Sequence, residues 1–533
     1  MDNGQSKKTL PNGIQTFSKI RQGDYYYVDK TQYLVELAKE TAIFLSRPRR
    51  FGKSLTIDTL DELFSGNKVL FNGLYAEKHW DWEVTYPVIR LGFTEGEILS
   101  AEALEEEIHA QLAANEAKHQ VPTGNHKRLH DRFRSLVQAI AEKRQSPVVI
   151  LIDEYDKPML DNINKAPILA IRGVLRDLYS VIKGQDKHIR FTMLTGVSKF
   201  SRVNVFSGLN SLMDITLMPQ FSAICGYTQA ELEDVFAPEL LGVDMDKVKK
   251  WYNGYNWNGD SVYNPFDVLL FFKSKQFEPH WFRTGSSAWL VDNLVASQLD
   301  MHRFENNTYD SIRLDSFDVD KMNPVAILFQ TGYLTINAMQ DTVAGTRYTL
   351  KYPNVEVQQS LNRVLIERYV SQQYEIISEQ SKIADCLLAG DYDGLEQLFH
   401  AFYAGIPHQW YDSTNNQLAG YEAHYASVFY GFLTGLGVRI HCEASSNQGR
   451  MDAWFDYDGV IYLIEFKVAQ SADEIAEKSI QAIEQIKSKG YAEQFSAQQR
   501  QRGRPIVLLG IVFGREERNI AGFEVEIIPP QKL

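Results

Sequence analysis

A chain of 533 residues is too long for one ordinary core, so two to four domains are expected. Hydrophobic residues at 44% and charged residues at 23% exclude a low-complexity or disordered chain, and three scattered cysteines (Cys225, Cys386, Cys442) exclude a disulfide framework and a cysteine zinc site. A net charge of −13 excludes a uniformly basic coat but not nucleic acid, since binding needs only a local basic groove and metals can bridge to phosphate.

Met1 to Leu10 is polar and shows no secretory pattern. No apolar run approaches bilayer length, so a cytoplasmic protein without a membrane partner is expected. Phe44 to Leu55 reads as a strand, a basic turn and a helix start. Pro87 to Phe93 is a short apolar run, Ser100 to Ala117 a helix, and Pro147 to Ile152 a β-branched strand ending in acids. An amphipathic helix over Ile171 to Lys183 and a strand over Ile189 to Leu194 complete an alternating α/β pattern, which implies a parallel sheet within roughly the first 220 residues.

Beyond Pro219 the texture changes. Thr228, with Glu231 three positions on, is a helix-capping box, and aromatic-rich turns follow at 251–255 and 263–266. Pro324 to Gln330 reads as a helix ending near Gly332, followed by Tyr333 to Ile336, a turn, and Tyr348 to Tyr352. That is the pattern of a winged-helix module. Helices then run from Val355 to about Tyr403, and the last stretch reads helix, strand, strand, helix, strand.

Ser46-Arg47-Pro48-Arg49-Arg50-Phe51-Gly52-Lys53-Ser54 sits between a strand and a helix start. Backbone N–H groups at a helix N-terminus bind phosphate oxygens, the Lys53 ammonium can reach the β- and γ-phosphates, and Ser54 can ligate Mg²⁺. Arg50 and Gly52 belong to the same candidate ATP-binding set. Arg47 stands where the usual pattern begins with Gly. By itself the loop could be a basic turn before a helix.

The strand Val148 to Ile152 ends in Asp153 and Glu154, the order that holds Mg²⁺ with the first acid and polarises the attacking water with the second. Asp156 is expected to shape the loop. Thr195 and Ser198, after the next strand, are candidates for contact near the γ-phosphate, and ordinary turn hydroxyls are the competing reading. Arg202 or Lys199 could serve as a charge finger if identical chains assemble.

A second acidic constellation lies near the C-terminal end. Gly449 to Phe455 and Gly459 to Val468 read as hairpin strands, with Glu465 and Lys467 on one face and Asp452 beside them. Two carboxylates and a lysine suit Mg²⁺, or Mn²⁺, with an activated water and a developing phosphorane charge. Glu422, opening a helix to Leu436, is a candidate outer carboxylate. The helix 479–491 is expected to bury Ile480, Ile483 and Ile486, with Gln481 or Gln485 meeting substrate or water. Glu465 and Lys467 alone could be an ion pair on an edge strand.

Essentially from Leu10 onward, the chain resembles bacterial AAA-ATPase-like proteins with a C-terminal PD-(D/E)XK nuclease-superfamily domain. The shared phrases include Tyr27-Val28-Asp29-Lys30-Thr31, 47–54, Asp153-Glu154-Tyr155-Asp156, Tyr263-Asn264-Pro265, Gly332-Tyr333-Leu334-Thr335, 353–357, Gly449-Arg450-Met451-Asp452 and Glu465-Phe466-Lys467. The resemblance implies ATP binding by Lys53, Ser54 and Asp153, hydrolysis promoted by Glu154, and a nuclease core of Glu422, Asp452, Glu465, Lys467 and Gln485. Met451 stands where the superfamily has Pro. The implied organisation is α/β: a P-loop ATPase domain over 1–218, a helical, winged-helix-like region over 219–353, a helical connector over 354–415, and a restriction-endonuclease-like domain over 416–533.

Three functions fit. One is an ATP-regulated, metal-dependent nuclease acting on DNA in preference to RNA. Another is a nucleotide-switched signalling or scaffold protein whose nuclease fold does not cut. The third is a DNA-binding ATPase using the winged helix.

Overall fold

The computed structural model describes residues 6–122, 126–200, 212–285, 290–291, 294, 307–315, 323–343, 345–369, 373–406, 418–435, 437–446 and 449–530. The chain divides into two compact units, Met1–Ser286 with Asn306–Glu356, and Ser287–Glu305 with Val357–Leu533.

The first unit is built on strands β1 (Ala42–Ser46), β2 (Val88–Gly92), β3 (Val148–Asp153), β4 (Ile189–Gly196) and β5 (Met213–Asp214), in the order β2-β3-β4-β1-β5 with every pairing parallel. Val148 to Ile152 is buried throughout, as an unbroken β-branched run requires when helices cover both sheet faces. The helix Ala101–His119 starts where the Ser100 hydroxyl accepts the Ala103 N–H. The helix Lys53–Phe64 follows β1 directly. Because β4 lies between β1 and β3, the carboxyl ends of all three strands meet at one edge, where open α/β sheets bind ligands.

Past the sheet, the helix Gln229–Val235 carries the full Thr228/Glu231 capping box. Its Leu232 joins Tyr252, Tyr263 and Phe272 in a core that also takes Tyr26 and Val28 from the N-terminal segment. The helix Pro324–Thr331 ends at Gly332 with φ +91° and runs into the hairpin β7 (Thr335–Thr342) and β8 (Gly345–Lys351). A short strand β6 (Thr308–Asp310) pairs with β8, which completes a three-stranded sheet in the order β6-β8-β7.

The second unit holds the helices Gln373–Ala389, Tyr392–Ala404 and Leu418–Gly435, followed by a mixed sheet. Its strands are β9 (Ile440–Ser446), β10 (Gly449–Tyr457), β11 (Val460–Ala469), β12 (Ile506–Gly514) and β13 (Asn519–Ile528), in the order β13-β12-β11-β10-β9. Only β11 and β12 pair in parallel, joined through the helix Ile475–Ser488. Asp458 and Gly459 both have positive φ, which a two-residue hairpin turn between β10 and β11 demands.

Three expectations change here. Two further strands, β9 and β13, flank the sheet, and the polar residues scattered through both hide the apolar alternation. The helix carrying Glu422 begins at Leu418, so Glu422 does not open it, and its side chain lies outside the described residues. Ile480 is 57% exposed, because the buried stripe is Ser479, Ala482, Ile483 and Ile486. Small side chains face the sheet there because the helix rides closely over Gly510 and Gly522, whose added Cβ atoms would crowd Ala482 and Ser479 respectively.

Gly254 has φ +113°, and a Cβ there would overlap the backbone oxygen of Pro353. Backbone cannot yield as a side-chain tip can, so Gly254→Ala should cost the first unit about 3 kcal/mol, read as a lowered unfolding transition by calorimetry. An unchanged transition would contradict that packing.

Candidate nucleotide and nuclease-type sites

The loop after β1 turns with Arg50 at φ +69° and Gly52 at φ +94° before the helix Lys53–Phe64. A Cβ at Gly52 would meet nothing within 4 Å, so Gly is needed there for its conformation, and the space beside it is open. The first N–H groups of the helix have no intrahelical acceptor, which makes this end a ready anion site. Lys53 donates to the carbonyls of Arg47 (2.9 Å) and Pro48 (3.0 Å). Those oxygens are thereby tied to the loop itself.

Arg47 resolves the atypical first position. Its guanidinium is fully buried and donates to the carbonyls of Ser46 (2.8 Å), Thr216 (2.9 Å) and Phe221 (3.1 Å), and it lies 4.2 Å from the Trp257 ring centroid. Burial lowers its pKa to about 10, which still leaves it charged at neutral pH. It clamps the loop to the segment after β5.

Asp153 ends β3 with 5% exposure and accepts the Thr195 hydroxyl at 2.7 Å. Glu154 follows at φ +49°, and its N–H reaches back to Asp153 at 3.1 Å. Burial pushes the Glu154 carboxyl above the usual range; Lys53 opposes that shift, while Asp153 and Asp156 add to it. A cavity of about 330 Å³ is lined by Arg49, Arg50, Gly52, Lys53, Ser54 and Glu154 at one part, with Ile14, Tyr227, Pro265 and Phe266 also on its wall. Its size and mixed lining suit a nucleotide. Arg50 lies 5.0 Å from the Phe266 ring centroid.

Two sequence candidates go elsewhere. Ser198 is fully buried, and both its N–H and its hydroxyl donate to Asp156 at 2.6 Å. It therefore fixes the loop after β4 with Asp156, which needs those donors to remain buried. Lys199 is buried and paired with Asp214 at 2.5 Å, so it is no exposed charge finger. Arg202 lies outside the described residues.

In the second unit, Glu465 on β11 is 1% exposed and pairs with Lys467 at 2.8 Å. The Gln485 amide donates to the same Glu465 oxygen. Asp452 on β10 accepts the Phe466 N–H at 2.8 Å, across the strand pairing that sets Ala453 opposite Ile464. The strand register and the helix Ile475–Ser488 thus gather Asp452, Glu465, Lys467 and Gln485. Gln481 instead donates to Glu477 on the exposed flank.

A family model described as a predicted AAA-ATPase matches residues 11–206, and one described as the PD-(D/E)XK nuclease superfamily matches residues 420–523. A relative from Azotobacter chroococcum mcd 1, described as an uncharacterized protein in the vnfD 5′ region, is 47% identical over 524 residues, 98% of this chain and 99% of the relative. The chain belongs to this family of AAA-ATPase-like proteins with a C-terminal PD-(D/E)XK nuclease-superfamily domain. Among solved structures, the Aeropyrum pernix Orc1 protein in complex with DNA matches at a TM-score of 0.26 and 12% identity, covering 62% of this chain and 91% of that chain. A likeness that low carries no argument about ligand.

In this AAA-ATPase-like protein several signature phrases turn out to be braces. Asp29 accepts the N–H groups of Thr31 (2.8 Å) and Tyr75 (2.7 Å), and Lys30 pairs with Glu231 of the capping box at 2.6 Å. Tyr491, a core residue of the second unit, also stands at the cluster of Asp452 and Glu465, which sequence reading missed. It is buried, bonds Gln485, and has its hydroxyl pKa raised by burial and then by the charges of Glu465 and Asp452. Its place past the end of the helix Ile475–Ser488 gives no local signal.

Arg47→Gly, which would restore the general loop pattern, should weaken the protein by about 3 kcal/mol through lost charge-assisted hydrogen bonds and should also weaken ATP binding. Thermal melts and nucleotide titrations read this directly, and a gain in either would contradict the clamp.

Proposed function

We propose that this protein binds and hydrolyses ATP with Mg²⁺ in its first unit, and that its C-terminal domain is a metal-dependent nuclease acting on DNA in preference to RNA. The observation that carries the first half is the cavity lined by Lys53, Ser54 and Glu154, where Glu154 follows directly on Asp153, whose carboxylate accepts the Thr195 hydroxyl. Thr195, fully buried and absent from that cavity's lining, would act through Asp153, whose carboxylate its hydroxyl holds.

Ser54 and Asp153 supply hard oxygen donors that suit Mg²⁺, and the open space at Gly52 suits a phosphate against backbone N–H groups. Bound there, the ion would neutralise charge on the phosphate chain. Lys53 adds a cation from the loop side, and Arg50 adds another from the cavity wall. Glu154, raised by burial, is suited to orient a water and take its proton.

The nuclease half rests on the second cluster. Asp452 and Glu465 offer two carboxylates, and Mg²⁺ usually keeps several waters, so phosphate and water would complete its coordination sphere. Mn²⁺ would serve the same oxygen donors, and Glu422 is the proposed outer carboxylate. A divalent ion there would lower the pKa of a water. Lys467 holds charge beside Glu465, and Gln485 fixes the carboxylate orientation. An assembly of identical chains would fit an ATPase of this class. Among the described residues, no helix is long and apolar enough to cross a membrane.

Lys53→Ala should abolish ATP binding, and Glu154→Gln should bind ATP while losing roughly 10²–10⁴-fold in turnover. The raised Glu154 carboxyl must be ionised to act, so ATPase activity should fall with acid at a pH above that of an ordinary glutamate, about 4.3. Equal turnover in all three proteins would sink the assignment. Asp452→Ala and Lys467→Ala should each abolish nicking of plasmid or RNA with Mg²⁺ or Mn²⁺ while ATP turnover persists; cutting that survives both would reassign the nuclease site.

A further inference from the structure

We propose that Trp281 is a positioning residue for the phosphate-binding loop, held there by a buried acid pair, Asp267 and Glu356. The inference rests on the ATP-binding reading of that loop.

An anion-binding loop must turn its carbonyls away from the ligand and keep its N–H groups toward it. Lys53 holds the carbonyls of Arg47 and Pro48. The next one, Arg49, accepts the Trp281 indole N–H at 3.0 Å. Three successive carbonyls are thus tied, and the last depends on a residue far along the chain. The Trp281 ring is 1% exposed, packed against Tyr333 (centroids 5.3 Å) and Tyr255 (6.4 Å), and Tyr255 in turn meets Phe51 of the loop at 4.7 Å.

The Trp281 backbone N–H donates to two carboxyls at once, Asp267 (2.7 Å) and Glu356 (2.9 Å), and Phe282 N–H adds a contact to Glu356 at 3.3 Å. Both acids are fully buried. Two anions sharing one buried donor would repel strongly, so the pair is stable only with a proton between them. Burial raises both carboxyls, and Asp267 hydrogen-bonds Glu356, which is pushed up to about 7.

The neighbouring titratable groups do not compete near neutrality. Burial raises Tyr252 and Tyr255, and burial lowers His280. Tyr333 packs on the ring, and Glu278 and Arg283 pair with one another at 2.6 Å. A raised carboxyl contributes its stability in the protonated state. Glu356 gives up its proton near pH 7, while Asp267, raised by burial and then by the Glu356 charge, keeps the shared proton beyond that, so its contribution is lost only as pH rises further. Loop positioning should therefore loosen on the alkaline side. Asp267→Asn supplies Glu356 with a permanent donor in place of the shared proton and removes that later ionisation.

The test is ATP·Mg²⁺ binding and turnover on the full chain, below and above pH 7, for wild type, Lys53→Ala, Trp281→Phe and Asp267→Asn. Trp281→Phe keeps the ring and loses the indole donor, so its Kd should rise about 5-fold, with turnover at saturation close to wild type. Wild-type affinity should weaken on the alkaline side, whereas Asp267→Asn should match wild type below pH 7 and stay flat above it. Phosphate protonation of ATP is common to all four and cancels in the comparison. Trp281→Phe binding as tightly as wild type, or Asp267→Asn following the wild-type pH curve, overturns the proposal. Should Trp281→Phe fail to fold, Asp267→Asn decides alone. Wild type binding no better than Lys53→Ala would remove the ATP reading, and this inference with it.

Discussion

The first unit depends on where β4 sits. Placed between β1 and β3, it pairs Leu45 with Thr195 on one side and Ile152 with Leu194 on the other. Thr195 therefore stands beside the strand that delivers the loop and hydrogen-bonds the acid that ends β3. The Tyr155 N–H closes the same junction by donating to the Thr195 carbonyl at 3.0 Å. Without that ruler, nothing would set the end of β3 at the same sheet edge as the end of β1.

Around the ruler, much of the unit serves to brace one loop. Arg47 ties it to the segment after β5, Lys53 closes it on itself, Phe51 packs edge-on against Tyr255 and Trp257, and Trp281 holds its third carbonyl. Asp156 and Ser198 stiffen the turn after β4 behind it. A loop presenting many N–H groups to a polyanion is costly to order, and bracing it in advance lowers what binding must supply. In the second unit the sheet does the comparable work: strand pairing sets Asp452 across from Glu465, and the close approach of the helix at Gly510 brings Gln485 onto the same carboxylate.

What could be read from sequence follows from how local each signal is. The strand, the loop, Lys53 and Ser54 are contiguous, and an apolar run ending in Asp153 and Glu154 announces itself; the capping box at Thr228 and the hairpin at Asp458-Gly459 do likewise. Period-two alternation was enough to put Glu465 and Lys467 on one face. The roles of Arg47 and Ser198 were not legible, because each is decided by which carbonyl or carboxylate the fold brings near, and both could equally have faced a ligand. Trp281, Asp267 and Glu356 carry no motif at all, since they meet across long stretches of chain. The helix after β11 misled for a different reason: isoleucine spacing outweighed Ser479 and Ala482, although small side chains are what a close helix–sheet contact selects.

The central claim is that two separate clusters of acid and lysine each receive phosphate. It is tested most directly by a crystal structure grown with a non-hydrolysable ATP analogue, Mg²⁺ and a short DNA duplex. The account predicts the triphosphate against the N–H groups of 50–54, with Mg²⁺ between Ser54 and Asp153, and a second ion at Asp452 and Glu465 facing a DNA phosphate. Nucleotide bound away from Lys53, or DNA held with no ion at Asp452 and Glu465, would contradict it.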